Sequence, residues 1–227
     1  MNVSRRFVFT AAVSALALPL AAQIASPSAW ATQFHKAPEH STARSATLDA
    51  VRNALRDLWI GHVFWTRNVV TAELAHNPGA RQIAEAQVLA NARAIADAMT
   101  PYYGPGAAQK LFGLLGGHYG AIKSYLDASI AKSPKKQASA TAELTANGAD
   151  IAVFLSGANP NLPRDTVENL LQVHGSHHIA QIQQLQAGNY AEEAQTWTDM
   201  TQHMYVIADA IAGALAKQFP EKFRGDA

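Results

Sequence analysis

The chain contains no cysteine, so neither a disulfide nor a thiolate ligand can contribute to it, and any metal it holds must be bound through nitrogen and oxygen. Charge is also sparse: charged residues make up 15% of the sequence. No segment shows the alternating Val/Ile/Thr pattern of a strand. A serine elbow, a phosphate-binding loop, a dinucleotide fingerprint and paired catalytic acids are all missing, which removes the common hydrolase, kinase and dehydrogenase chemistries. Asp97 and Asp209, six residues beyond Asn91 and His203, are expected to be ordinary solvated carboxylates.

The segment 1–31 reads as an export signal. Ser4-Arg5-Arg6-Phe7-Val8-Phe9 resembles a twin-arginine motif, Thr10 to Ala22 is weakly apolar, and Ala29-Trp30-Ala31 fits an A-x-A cleavage site. The apolar run falls short of the roughly 20 residues a membrane span requires, so no stable anchor is expected after cleavage and the mature chain is placed in the periplasm or outside the cell. Cleavage removes Arg5 and Arg6, leaving 16 basic against 17 acidic residues and a net charge of −1. That balance gives no reason to expect nucleic acid or anionic lipid as a partner. Residues 32–46, rich in Ser and Thr with His35 and His40, read as a solvated, flexible tail; 47–220 form a single domain and 221–227 a C-terminal tail.

What the sequence does contain is a period. His62, His118 and His174 recur at i, i+56 and i+112, and Asn91, Asn147 and His203 repeat the same step, each at +29 from its histidine. The midpoints between successive members of this series fall on His76-Asn77-Pro78, Tyr103-Gly104-Pro105, Lys132-Ser133-Pro134, Pro160-Asn161 and Gly188-Asn189, all of them turn signals. Residues equidistant from a turn in antiparallel helices lie at one height, so the six side chains are predicted to share one polar layer. Leu58/Leu114/Leu170 and Ile95/Ile151/Ile207 superpose at the same step.

Apolar residues recur at helical spacing throughout. The helices are expected from about Thr47, then over about Gly79–Thr100, Ala107–Ala131, Lys135–Ser156, from Pro163, and over Ala191–Gln218. The fold class is all-α: three αα-hairpin repeats of about 56 residues forming an up-and-down six-helix bundle, either closed with pseudo-threefold symmetry or opened into two packed layers.

Buried imidazoles and amides need partners, since each left alone costs about 1 to 3 kcal/mol. A transition metal ion (Zn, Cu, Ni, Co or Fe) is one filling of the layer, with His174, His178, His203, His62 and His118 as the candidate ligands. The third hairpin is the richest, because His174 and His178 lie four apart on one helix face and His203 faces them across the Gly188 turn. His178 replaces Thr66 and Ile122 of the earlier copies. Purely structural hydrogen bonding is another filling, with Asn91 and Asn147 as natural partners of His62 and His118. An organic ligand, a two-histidine b-type haem included, is the third: Gly113, Gly116, Gly117 and Gly120 crowd His118, although close helix packing explains them more simply.

The strings His62-Val63-Phe64-Trp65-Thr66-Arg67, Pro101-Tyr102-Tyr103-Gly104, Phe154-Leu155-Ser156 through Ala158-Asn159-Pro160-Asn161, and Gln218-Phe219-Pro220 resemble a family of small, exported, all-helical bacterial proteins without an assigned activity. Some members carry a glycosyltransferase label, which conflicts with the lack here of a mixed α/β nucleotide-binding pattern. The resemblance implies an all-helical domain and imports no activity. The function expected from the residues is metal binding in the histidine layer, for storage, sensing or delivery rather than catalysis. The alternative is a non-catalytic structural or small-ligand-binding bundle.

Overall fold

The computed structural model describes residues 47–223; the expected signal peptide and the 32–46 tail lie outside them. Among the described residues there are six long helices and no strand: α1 (Leu48–Leu74), α2 (Pro78–Asp97), α3 (Thr100–Ile130), α4 (Pro134–Ala158), α5 (Arg164–Ala187) and α6 (Tyr190–Gln218), followed by a 3-10 turn at Pro220–Lys222. No helix among them is long and apolar enough to cross a membrane.

Local chemistry sets the ends of these helices. Thr47 caps α1 by accepting from the Ala50 amide at 3.1 Å, and Asn77 caps α2 by accepting from Ala80 at 3.0 Å. Helices α1, α3 and α5 finish alike, with His76, Lys132 and Gly188 in the left-handed region at φ 53°, 49° and 76°. In each case the left-handed residue donates its N–H to the carbonyl three back, and the next residue donates to the carbonyl five back: Asn77 to Ala72, Ser133 to Ala128, Asn189 to Gln184. These paired bonds satisfy carbonyls that the helix end would otherwise leave open. The three left-handed positions follow the same even step as His62, His118 and His174.

The turn after α2 departs from expectation. The segment Thr100–Tyr103 is helical, whereas the proline-rich string was expected to end the preceding helix, and the break falls at Gly104 with φ 81° and ψ 171°. Glycine tolerates that conformation, and Pro105 restarts the helix with its φ already set. Tyr103 gains a function from this turn. Its hydroxyl accepts from Asn159 Nδ2 at 3.0 Å and donates to Gln218 Oε1 at 2.8 Å, while Gln218 Nε2 donates to the Ala158 carbonyl at 3.0 Å. Three of the strings that carry the family resemblance thus meet at one end of the bundle. Phe223, inside the expected C-terminal tail, stacks on Tyr102 with ring centroids 5.8 Å apart.

Each helix packs on its successor, and α6 returns to α1, so the ring closes; α5 also reaches α1 and α3 through the interior. Two ion pairs hold the closing seam. Arg56 grips Asp209 with two bonds of 2.8 and 2.6 Å, and Arg67 grips the buried Glu193 with two of 2.6 and 2.7 Å. Asp209, expected as a solvated carboxylate, is 38% exposed and also engaged in a bidentate pair, because α1 delivers an arginine to its level. One apolar cluster contains Leu55, Trp59, Val63, Leu111 and Leu115, and another contains Val69, Val70, Ile122, Leu126 and Ile182. Between them along α1, α3 and α5 lie His62, His118 and His174.

Candidate metal centre

His62 sits on the buried stripe of α1 between Trp59 and Thr66, His118 on that of α3 between Leu115 and Ile122, and His174 and His178 on that of α5 between Leu171 and Ile182. All four are at most 2% exposed. Helical periodicity alone aims them inward, since each continues an i, i+3 or i+4 row of core side chains. His62, His118 and His174 each offer a ring nitrogen, and these three atoms lie within 4.8 Å of one another. The three could hold a metal ion. Ring centroids are 5.5 Å apart for His62 and His174, 5.4 Å for His118 and His174, and 6.2 Å for His62 and His118. Imidazoles sharing one tetrahedral ion have centroids about 5 Å apart, from metal–nitrogen bonds of about 2.0 to 2.1 Å. His178 stands beside the group, its Nε2 in hydrogen-bond contact with Nε2 of His174 at 3.2 Å.

The hydrogen bonds around the cluster fix the state of His118. Asn147 Nδ2 donates to the Leu114 carbonyl at 3.1 Å, which turns its Oδ1 toward His118 Nδ1, 3.1 Å away. A carboxamide oxygen only accepts, so Nδ1 carries the proton and Nε2 keeps a lone pair. That is the tautomer a metal needs, held by a group behind the ring. Asn91 makes the same crossing bond, Nδ2 to the Leu58 carbonyl at 3.0 Å. His203 bonds through Nε2 to the Leu170 carbonyl at 2.8 Å. All three bonds span 33 residues.

His203 is thus at the height the spacing predicts but outside the imidazole cluster. Its ring lies against His177, with centroids 5.5 Å apart, and both residues are half-buried. The glycines near His118 also resolve. A Cβ on Gly117 would stand 3.1 Å from Asn147 Nδ2, and one on Gly61 only 2.7 Å from Asn91 Nδ2, whereas Gly113, Gly116 and Gly120 face nothing within 4 Å. The close neighbour is the crossing amide. A Gly-His pair recurring at 61–62 and 117–118 was the available signal for it.

Burial governs the electrostatics. It pushes His62 down to about 3, helped by His118, and His118 down to about 4 against the opposing bond from Asn147. Burial, then the neighbouring imidazoles, hold His174 and His178 well below the usual histidine range. At neutral pH the cluster is therefore four uncharged imidazoles, the form that binds metals. Both ring nitrogens of His62, Nε2 of His118 and Nδ1 of His174 have no hydrogen-bond partner on the protein. On one side of the layer the Trp59 ring meets His62 edge-on at 6.1 Å, and a cavity of about 30 Å³ lies among apolar side chains including Trp59, Leu115 and Leu171.

No protein-family model matches the chain, and no curated protein or solved structure was found to be similar to it.

Proposed function

We propose that this protein binds one late first-row transition metal ion through His62, His118 and His174, with His178 as the fourth nitrogen. The observation that carries the reading is the convergence of three buried neutral imidazoles, whose ligand atoms lie within 4.8 Å of one another and whose ring nitrogens are largely without protein partners. The 3.2 Å between the two Nε2 atoms of His174 and His178 matches the roughly 3.3 Å edge of a tetrahedron with metal–nitrogen bonds of about 2.0 to 2.1 Å. Four nitrogens and no oxygen favour Zn, Cu, Ni or Co over Mg or Ca. A buried site saturated by four nitrogens suits holding or passing on an ion better than activating a substrate. With the export signal read at residues 1–31, the proposed setting is the periplasm, and the proposed role is metal storage, sensing or delivery.

We also take the bundle to be a triplicated hairpin. Support comes from left-handed turn residues at 76, 132 and 188 and crossing bonds at 91, 147 and 203, both series advancing by the same even step as the histidines. Triplication would explain how three equivalent ligands come to surround one axis.

One observation favours a second reading: the His118–Asn147–Leu114 relay would serve equally in a hydrogen-bond layer without a metal. Full-length protein without a polyhistidine tag separates the two. Elemental analysis of purified protein and titration with Co²⁺ should give about one ion per chain and the visible d–d bands of a nitrogen-ligated tetrahedral site. His118→Gln and His174→Gln, each checked for helical circular dichroism, should lose both. Folded wild-type protein that takes up none of Zn, Cu, Ni, Co or Fe(II) overturns the metal reading in favour of the structural one.

A further inference from the structure

The buried cluster raises a question of access: at 1% to 2% exposure, His62, His118 and His174 cannot meet an ion from solvent directly. The layer has three outer sides, and the groups crossing them differ. Two are closed by Asn91 and Asn147, whose amides are tied to the Leu58 and Leu114 carbonyls above Gly61 and Gly117. Carboxamides bind late transition metals poorly. On the third side the same crossing bond is made by His203, and Val173 stands where the other two sides have glycine.

The third side carries a further imidazole. His177, whose positional counterparts in the other two hairpins are Ala121 and Trp65, is half-buried against His203. Its Nδ1 is buried and finds no partner on the protein. His203 donates from Nε2 to a carbonyl, so its Nδ1 retains a lone pair. The 5.5 Å between the ring centroids is close to the separation of about 5 Å expected for two imidazoles on one ion. Asp199, exposed and one turn before His203 on α6, adds a carboxylate whose charge is felt at His177. The pair is also within electrostatic reach of the interior, His177 acting on His178 and His203 on His174.

We propose that His177 and His203 form a transient docking site through which a divalent late transition metal passes between solvent and the buried histidines, with the exposed Asp199 drawing the cation to that side. The inference rests on the metal reading above. An ion captured by His177 and His203 exchanges those nitrogens for His178 and His174, shedding its remaining waters as it moves inward. No bond other than metal–ligand bonds forms or breaks.

Stopped-flow uptake of Co²⁺ by full-length, metal-free protein, followed by the visible bands of the buried site, tests this. His203→Gln keeps an Nε2 donor long enough to reach the Leu170 carbonyl past Val173, and His177→Ala matches Ala121. Each should slow uptake and chelator-driven release together by about tenfold, equivalent to about 1.4 kcal/mol in the barrier, while final stoichiometry, spectrum and equilibrium affinity stay at wild-type values. His76→Asn, at an exposed turn, should leave the rates unchanged. Wild-type rates in both port variants overturn the docking site while leaving the buried centre standing. Failure of wild-type protein to bind Co²⁺ at all overturns the centre itself.

Discussion

Acidification of the metal-free protein should unfold it well above the pH at which its carboxylates titrate. In the unfolded chain each histidine protonates near pH 6.5, whereas in the fold His62 is held down to about 3 and His118 to about 4, and His174 and His178 also lie well below 6.5. The folded form therefore keeps these rings neutral while the unfolded form takes up protons. Their stabilising contribution is complete above pH 6.5 and is lost as pH falls below it, until the folded values are reached. The loss approaches about 1.4 kcal/mol per pH unit for each ring. At pH 5 it amounts to about 2 kcal/mol for each of His62 and His118, with a further loss of the same sign from His174 and His178, against a total stability of about 5 to 15 kcal/mol for a domain of ordinary size.

Urea denaturation followed by circular dichroism, in chelator at pH 7.5, 6.0 and 5.0, measures this directly. The midpoint should fall steeply, with a slope corresponding to uptake of about two protons or more on unfolding. His178→Ile, which installs the residue found at position 122, should reduce the slope by about one proton. Co²⁺ at saturation should move the acid transition to lower pH, because protons and metal compete for the same lone pairs. A midpoint that is flat from pH 7.5 to 5.0 in the metal-free protein would refute the burial argument.

Other perturbations test the supports of the site. Gly61→Ala brings a Cβ to 2.7 Å from Asn91 Nδ2 and should lower thermal stability despite the better helix former, whereas Gly113→Ala, with nothing within 4 Å, should raise it by about 0.5 to 1 kcal/mol. Arg67→Met removes the charged partner of Glu193, a carboxylate 3% exposed that keeps only the Gln181 amide, and should cost about 2 to 3 kcal/mol in chemical denaturation, less than a fully buried pair because the arginine is partly solvated. Asn147→Leu frees the His118 ring to adopt the other tautomer and should weaken Co²⁺ binding by about 10- to 100-fold in competition with a chelator.

Height along the bundle was legible in the sequence; direction around the axis was only partly so. Antiparallel helices joined by short turns place residues equidistant from a turn at one level, and the turns came where Pro, Gly and Asn marked them, at 76–78, 132–134 and 188–189. The inward aim of His62, His118, His174 and His178 followed from the apolar rows they continue. His203 shares their level, yet its ring ends on a backbone carbonyl of the neighbouring helix. That outcome depends on how far α6 is rotated against α5, which a one-dimensional spacing does not encode. The same gap hid the tight approach of Asn91 to Gly61, and the pairing of Asp209 with an arginine 153 residues away. The helical turn at Thr100–Tyr103 was masked by Pro101 within it and Pro105 beyond it, because the residue that breaks the helix is Gly104, after the turn and not before it.

A layer of imidazoles is a costly way to fill the middle of a bundle. The four unpartnered ring nitrogens of His62, His118 and His174 forfeit about 1 to 3 kcal/mol each, a sum comparable with the stability of the whole domain. Leucine or isoleucine at these positions would pack against the same neighbours with no such loss, as Ile122 does one turn beyond His118. Helix α5 adds to the cost, carrying His178 where the matching positions on α1 and α3 hold Thr66 and Ile122. A purely structural role would be better served by fewer histidines, each with a carboxamide of its own. A coordinated ion reverses the balance, since it satisfies several lone pairs at once and its binding energy is available only to the folded chain. Excess imidazole in a buried layer, with His174 and His178 together on α5, is the pattern expected when an ion is what the layer is built around.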